Sequence, residues 1–504
     1  MIFSTRFRSR VHWWPYFRRA VSDEEPTPSE GANEDISDKS TSVKSKSSTS
    51  KKSGSKNSPK KSQTKSKSKL KPKSKIRVAH EMPADRRREI KQAMAGHKKK
   101  GKPEWDRSVG VKQHKLLKKR FKAGTMRTIE VPLLDVQLGD PWLTPITVIH
   151  GARPGPVVTV TGGIHGDELT GPSAATHLLS NIMTDPERPL NPSQMAGTLQ
   201  VIPILNPPGY RSKLRYFPDG RDLNREFPGR ARGNTTSRVA YRIWNEILSK
   251  SDYIIDLHSA AKGRTNLPQI RADLANPICN IIAKAFGIET ILDSRPPRGS
   301  LRRVAGKTDI GVITYEGGGA DVLDNESVKV AVYGVLNVLK SLHVIPGHPS
   351  RPRFRLLATG SNWLRAGEGG LLDMLAWSGS IVQKGDVVAT ISDPGTPGLS
   401  VDIVAPGDGL LICTATNPFV NAGTPVGHFL PLEKYSELLL SQSDERGRFM
   451  VSGSQGDPPW RDELDVDEIE VEGEWSGGSV DAEWQRAWID HEAAEETAQE
   501  VEDA

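Results

Sequence analysis

The sequence predicts an α/β domain with a mainly parallel, mixed sheet flanked by helices, followed by a small all-β domain. Two observations carry this. From about residue 125 to about 345, short buried-strand patterns alternate with helical ones. After His348-Pro349 the texture changes to short strands, frequent Gly and Pro, and turn signals about every ten residues.

The elements follow in order. RTIEVPLLDV alternates as a strand does, and TPITVIHG continues it. PVVTVTGGI is a buried strand bounded by Pro156 and the pair Gly162/Gly163. GPSAATHLLSNIM reads as a helix and TLQVIPILNP as a second buried strand. SRVAYRIWNEILSK is an amphipathic helix, DYIIDLHS a third strand and NPICNIIAKAFGI another helix. GVITYEGGG is a fourth strand and NESVKVAVYGVLNVLKSL a closing helix. Beyond these, VQKGDVVATISDP and VDIVAPGDGLLI read as halves of a small β-barrel or sandwich. The expected boundaries are a basic disordered arm at 1–124, the α/β domain at 125–347, the β domain at 348–440 and an acidic disordered tail at 441–504.

Composition explains the tails. The chain is 36% hydrophobic with a mean hydropathy of −0.48, low for a chain that is globular throughout. Lys44 to Lys75 holds 13 lysines, no acid and almost nothing apolar, so it buries too little surface to offset chain entropy. From Asp457 onward there are 18 acids against Arg461 and Arg486; since the whole chain is only +8, the remainder carries +24 against the tail's −16. Such an arm suits a polyanion or an acidic partner held by charge, the plainer alternative being a solubilising tail. The first residues are Arg-rich and acid-free until Asp23, and read as a basic aromatic arm rather than a transit peptide. Two cysteines without a CxxC point to a reducing, cytoplasmic setting, and no run of about 18 apolar residues suggests a membrane span.

The chemistry concentrates at strand ends. GGIHGDE closes a buried strand with two glycines and then offers His165 and Glu168, where α/β sheets bind ligands. DYIIDLHS ends another strand with His258, and Asp256 shares its side of the strand, where it can orient the imidazole. Either motif alone is commonplace. Together His165, Glu168 and His258 form a His-Glu-His set that suits one zinc ion per chain and leaves an open position for water. Their atoms should then lie about 2.0–2.2 Å from one point, or within about 4 Å of each other when no metal is held. Between these motifs lies LRYFPDGRDLNREFPG, whose Arg215, Arg221, Asp222, Asn224 and Arg225 suit a carboxylate or oxyanion, with Phe217, Leu223 and Phe227 as anchors to the core. ITYEGGG ends a fourth strand on Glu316, costly to bury unless used or paired. Glu316 is the candidate catalytic carboxylate; the alternative is an ion pair with Arg302 or Arg303.

GGIHGDE, LRYFPDGRDLNREFPG, DLHS and ITYEGGG, in that order, resemble the succinylglutamate desuccinylase/aspartoacylase family, a branch of the zinc carboxypeptidase-like hydrolases. The resemblance spans about 130–435. It implies His165, Glu168 and His258 as ligands, Glu316 as proton carrier, Arg215 as the group polarising the scissile carbonyl, Asn224 with Arg225 as the clamp on a substrate carboxylate, and Asp222 and Asp256 as supporting residues. It implies a zinc-dependent deacylase of an N-acyl amino acid or similar amide, with esters as further substrates. The alternatives are a carboxypeptidase-like enzyme trimming peptide C-termini and, in another class, a non-catalytic polyanion-binding protein. The β domain is similar to lipoyl/biotinyl carriers, but its tip, SDPGTPGLSVD, has no lysine. The long arm and acidic tail depart from the small-molecule deacylases of the family, and Arg302 and Arg303 are the candidates for the acyl pocket.

Overall fold

The structure, a computed structural model, describes residues 113–134, 141–184, 190–352, 354–432, 439–441, 443–452 and 467–471. The Lys-rich arm, its expected partner and most of the acidic tail lie outside the described residues.

In chain order the strands of the first half are β1 His114–Leu116, β2 Lys119–Phe121, β3 Thr125–Pro132, β4 Leu143–His150, β5 Arg153–Gly162, β6 Ala196–Ile202, β7 Tyr253–His258, β8 Arg264–Ala272, β9 Thr290–Asp293 and β10 Gly311–Gly319. The helices between and after them are α1 Thr170–Thr184, α2 Pro207–Ser212, α3 Thr235–Glu246, α4 Pro277–Ala285, α5 Leu301–Ala305 and α6 Asn325–Ser341. The β-rich end comprises β11 Phe354–Ala358, β12 Asn362–Arg365, β13 Gly370–Met374, β14 Ile381–Val382, β15 Val387–Ser392, β16 Ser400–Val404, β17 Gly409–Ala415, β18 Phe419–Val420 and β19 Pro425–Pro431, and β20 is Asp467–Val471.

The centre of the main sheet is parallel, as the alternating pattern predicts: β6, β5, β7 and β10 run side by side in one direction. Strands β3 and β4 are antiparallel to their neighbours, and β8 is antiparallel to β10 and β17 but parallel to β9. One face packs against α1 and α6 through Leu178, Val335, Leu257 and Tyr315; the other packs against α3 through Ile254, Val312 and Ile243. Alternation along β7 therefore puts Leu257 on one face and Asp256 and His258 on the other.

Strand β8 is where the sheet branches. Its C-terminal half pairs with β9, which leads to β11 and β20. Its N-terminal half pairs with β17, which leads to β19 and β12. A separate four-stranded sheet of β13, β15, β16 and β18 packs on the latter branch through Leu372, Val388 and Leu411.

Two expectations about where order lies are corrected. Among the described residues, strands β1 and β2 lie at His114–Leu116 and Lys119–Phe121, inside the segment expected to be disordered. Leu116 and Phe121 are buried, and the turn uses Leu117 and Lys118 at φ 50° and 63°, so no glycine signals the hairpin. Strand β20 lies within the acidic tail; its backbone adds in parallel to the edge of β11. Among the described residues, Cys279 and Cys413 are buried free thiols, and no helix is long and apolar enough to cross a membrane.

The C-terminal segment is fastened by Glu289, whose carboxylate accepts from the Ser452 backbone N–H at 3.0 Å and from its hydroxyl. Burial pushes this carboxyl up to about 7 despite the donors on Ser452. A raised carboxyl favours the protonated fold, so stability is lost as pH climbs from the usual carboxylate range through 7. Glu289→Gln removes the charge and is expected to raise the melting temperature by several degrees at pH 8 and hardly at all at pH 5, from a difference of about 2–3 kcal/mol. Equal melting of the two proteins at pH 8 would exclude an ionised buried Glu289.

Candidate metal centre

The turn after β5 is shaped by glycine. Gly163 has φ 58°, and a Cβ on Gly166 would lie 2.0 Å from the Gly209 carbonyl carbon, so the chain passes between β5 and α2 only without side chains there. Backbone bonds from Leu205 to Gly162 and from Asn206 to Gly163 fix the turn against the end of β6. His165 and Glu168 emerge from it, and His258 ends the neighbouring β7.

These three side chains meet. Each offers a ligand atom, all within 4.8 Å of one another and all buried. That is slightly wider than the expected 4 Å, because the Glu168 carboxylate sits between the two imidazoles. Its Oε1 is 2.7 Å from His165 Nδ1 and its Oε2 is 2.9 Å from His258 Nδ1. Each imidazole turns its other nitrogen to an aspartate: His165 Nε2 to Asp222 at 3.1 Å and His258 Nε2 to Asp256 at 2.9 Å. Thr161 donates to the other Asp256 oxygen at 2.7 Å.

The donor set fits a zinc ion. Two nitrogens and one carboxylate oxygen converge, with Nδ1 of both histidines facing inward and a carboxylate behind each ring, the arrangement that orients metal-binding imidazoles. Electrostatics agree with a site built for positive charge. Burial alone would lower His258, but Asp256 and Glu168 outweigh it and hold it well above the usual imidazole range. Burial opposes ionisation of Glu168 too, yet His165 and His258 keep it well below the usual carboxylate range. Holding a dication requires the Nδ1 protons to leave.

The loop from Arg215 onward is anchored as its apolar residues suggest: Phe217, Leu223 and Phe227 are buried. Arg215 bridges Glu168 at 3.0 Å and Asp222 at 3.1 Å. Asp222 also caps a short 3-10 turn, Leu223–Arg225, by accepting from the Asn224 N–H. Asn224 Oδ1 accepts from the Leu301 N–H at 2.8 Å, tying the turn to α5, and Arg225 is exposed with one N–H on the Asn224 carbonyl. Arg221 points to Glu226 instead.

Glu316 lies opposite His258 in the β7–β10 ladder. It pairs with neither Arg302 nor Arg303. Arg302 donates to the Ser294 carbonyl and hydroxyl. The partners of Glu316 come from β8: Asn266 donates to Oε2 at 3.1 Å, and Arg271 Nε is 3.8 Å from Oε1. The sequence reading missed Asn266 and Arg271. Their polar spacing in RTNLPQIRA was a signal, but Pro268 interrupts the strand pattern.

Residues 154–342 match the sequence profile described as the succinylglutamate desuccinylase/aspartoacylase catalytic domain. An N-alpha-acetyl-L-2,4-diaminobutyric acid deacetylase from Halomonas elongata is 28% identical over 306 residues, covering 56% of this chain and 84% of the relative. Among solved structures, the product-bound ectoine utilization protein EutE of Ruegeria pomeroyi aligns with a TM-score of 0.53 at 25% identity, over 60% of this chain and 94% of that one. A succinylglutamate desuccinylase/aspartoacylase from Rhodobacter sphaeroides gives a TM-score of 0.53 at 26% identity, over 60% and 95%.

Proposed function

We propose, from an α/β domain that belongs to the succinylglutamate desuccinylase/aspartoacylase family, that this chain is a zinc-dependent deacylase cleaving the amide of an N-acyl amino acid. The observation that carries the reading is the buried His165/Glu168/His258 set with an aspartate behind each imidazole, at strand ends beside Glu316.

Zinc held by these three residues would polarise the amide carbonyl and make a water acidic enough to attack at neutral pH. The chain's own residues do the rest. Asn224 and Arg225 hold the substrate carboxylate and so fix the amide over the site. Arg215 presents a guanidinium to the carbonyl oxygen as negative charge grows there. Glu316 takes a proton from the attacking water as its oxygen bonds to the acyl carbon. It then hands that proton to the amide nitrogen as the carbon–nitrogen bond breaks, leaving a carboxylate and an amine. Asp222 and Asp256 keep His165 and His258 in the tautomers that face the metal.

Metal analysis should find one zinc per chain. Chelation should abolish turnover of N-acyl amino acids, and zinc should restore it. A zinc-loaded protein inactive on N-acyl amino acids, but active on short peptides, would transfer the reading to a carboxypeptidase-like enzyme. Inactivity on both would end it.

A further inference from the structure

Strand β8 reaches Glu316 through an irregularity. Glu316 faces Gln269 in the β8–β10 ladder, but two residues further along β10 Gly318 faces Asn266 rather than Leu267. The extra residue on β8 is a bulge, and Pro268, which has no N–H to give the ladder, lies inside it. In a regular ladder Asn266 would point to the opposite face from Glu316. The bulge turns it onto the Glu316 face, where its side chain, 5% exposed, donates to Oε2. The other end of this stretch is held by the β-rich branch, where Asn266 pairs with Cys413 and Thr265 with Thr414.

Arg271 is the competing partner. Its Nε is buried and has no hydrogen-bond partner among the described residues, and at 3.8 Å from Glu316 Oε1 it is beyond hydrogen-bonding distance. A short shift of the carboxylate would turn this long ion pair into a hydrogen-bonded one. A carboxylate locked on a guanidinium is aimed away from the reacting water, so it is out of reach of the proton it is to take.

We propose that Asn266 is a positioning residue: it holds the Glu316 carboxylate off Arg271 and aimed at the metal centre, and the β-rich branch fixes Asn266 through β17. This rests on the reading of Glu316 as proton carrier. The test uses the full, zinc-loaded chain. Asn266→Ala is expected to lower kcat about tenfold to a hundredfold with KM and zinc content unchanged, part of what a positioned base supplies. Its crystal structure should show Glu316 within hydrogen-bonding distance of Arg271. Adding Arg271→Gln should recover most of the lost kcat, which a merely structural defect would not do. Asn266→Asp fills the same space but repels Glu316, so it should lose at least as much activity as the alanine variant. An unmoved Glu316 in the Asn266→Ala crystal, a fully active Asn266→Asp, or no recovery in the double variant would overturn the proposal. If the wild type turns over no N-acyl amino acid, the deacylase reading fails by itself, while the Glu316 position in paired crystals still decides the role of Asn266.

Discussion

Glu316→Gln is expected to lower kcat by about 10²–10⁴ while zinc content stays at the wild-type level. Glutamine keeps the length and the acceptor for Asn266 Nδ2, so the fold around β10 should persist. It cannot take a proton, so the attacking water keeps it and the leaving nitrogen receives none. The His165/Glu168/His258 set does not depend on Glu316, because the three ligands bond among themselves and to Asp222 and Asp256. Zinc content and activity should therefore separate. Loss of zinc in this variant would make Glu316 a ligand, and wild-type turnover would remove it from the mechanism.

How much of this was legible in the sequence depends on how local the cause is. GGIHGDE and DYIIDLHS were readable because strand alternation and a glycine turn are short-range facts, and each fixes where its last side chain points. The same alternation put Asp256 behind His258, as found. The partner of His165 was less accessible: Asp222 was visible as a loop acid, but its approach to Nε2 depends on Phe217, Leu223 and Phe227 seating the loop in the core. The partners of Glu316 were not legible. Asn266 reaches it only because a bulge around Pro268 inverts the strand's facing, and a period-two pattern cannot register an inserted residue. The hairpin of β1 and β2 was lost for a similar reason, since Leu117 and Lys118 adopt positive φ without the residues that announce it. Strand β20 gains its place from the open edge of β11, far away in sequence.

Arg215→Ala should act mainly on kcat and Arg225→Ala mainly on KM. In the proposed reaction Arg225 meets a carboxylate that is charged before, during and after bond cleavage, so it binds ground and transition states alike. Among the described residues its exposed guanidinium donates a hydrogen bond to the Asn224 carbonyl, and its other N–H groups can meet a ligand. Losing one charge-assisted contact should raise KM about tenfold to a hundredfold. Arg215 meets charge that exists only as the tetrahedral carbon forms, and one lost donor of that kind costs about 10²–10³ in kcat. It also bridges Glu168 and Asp222, so its removal leaves two carboxylates without a shared cation beside the metal ligands. Zinc content must be measured with kcat to separate the two effects. If zinc stays and kcat falls, the guanidinium acts on the substrate. If zinc falls in proportion to activity, Arg215 serves to hold Glu168. Arg215→Lys discriminates further, because one ammonium cannot span both carboxylates as the planar fork does. A KM effect at Arg215 with a kcat effect at Arg225 would mean that the two roles are reversed.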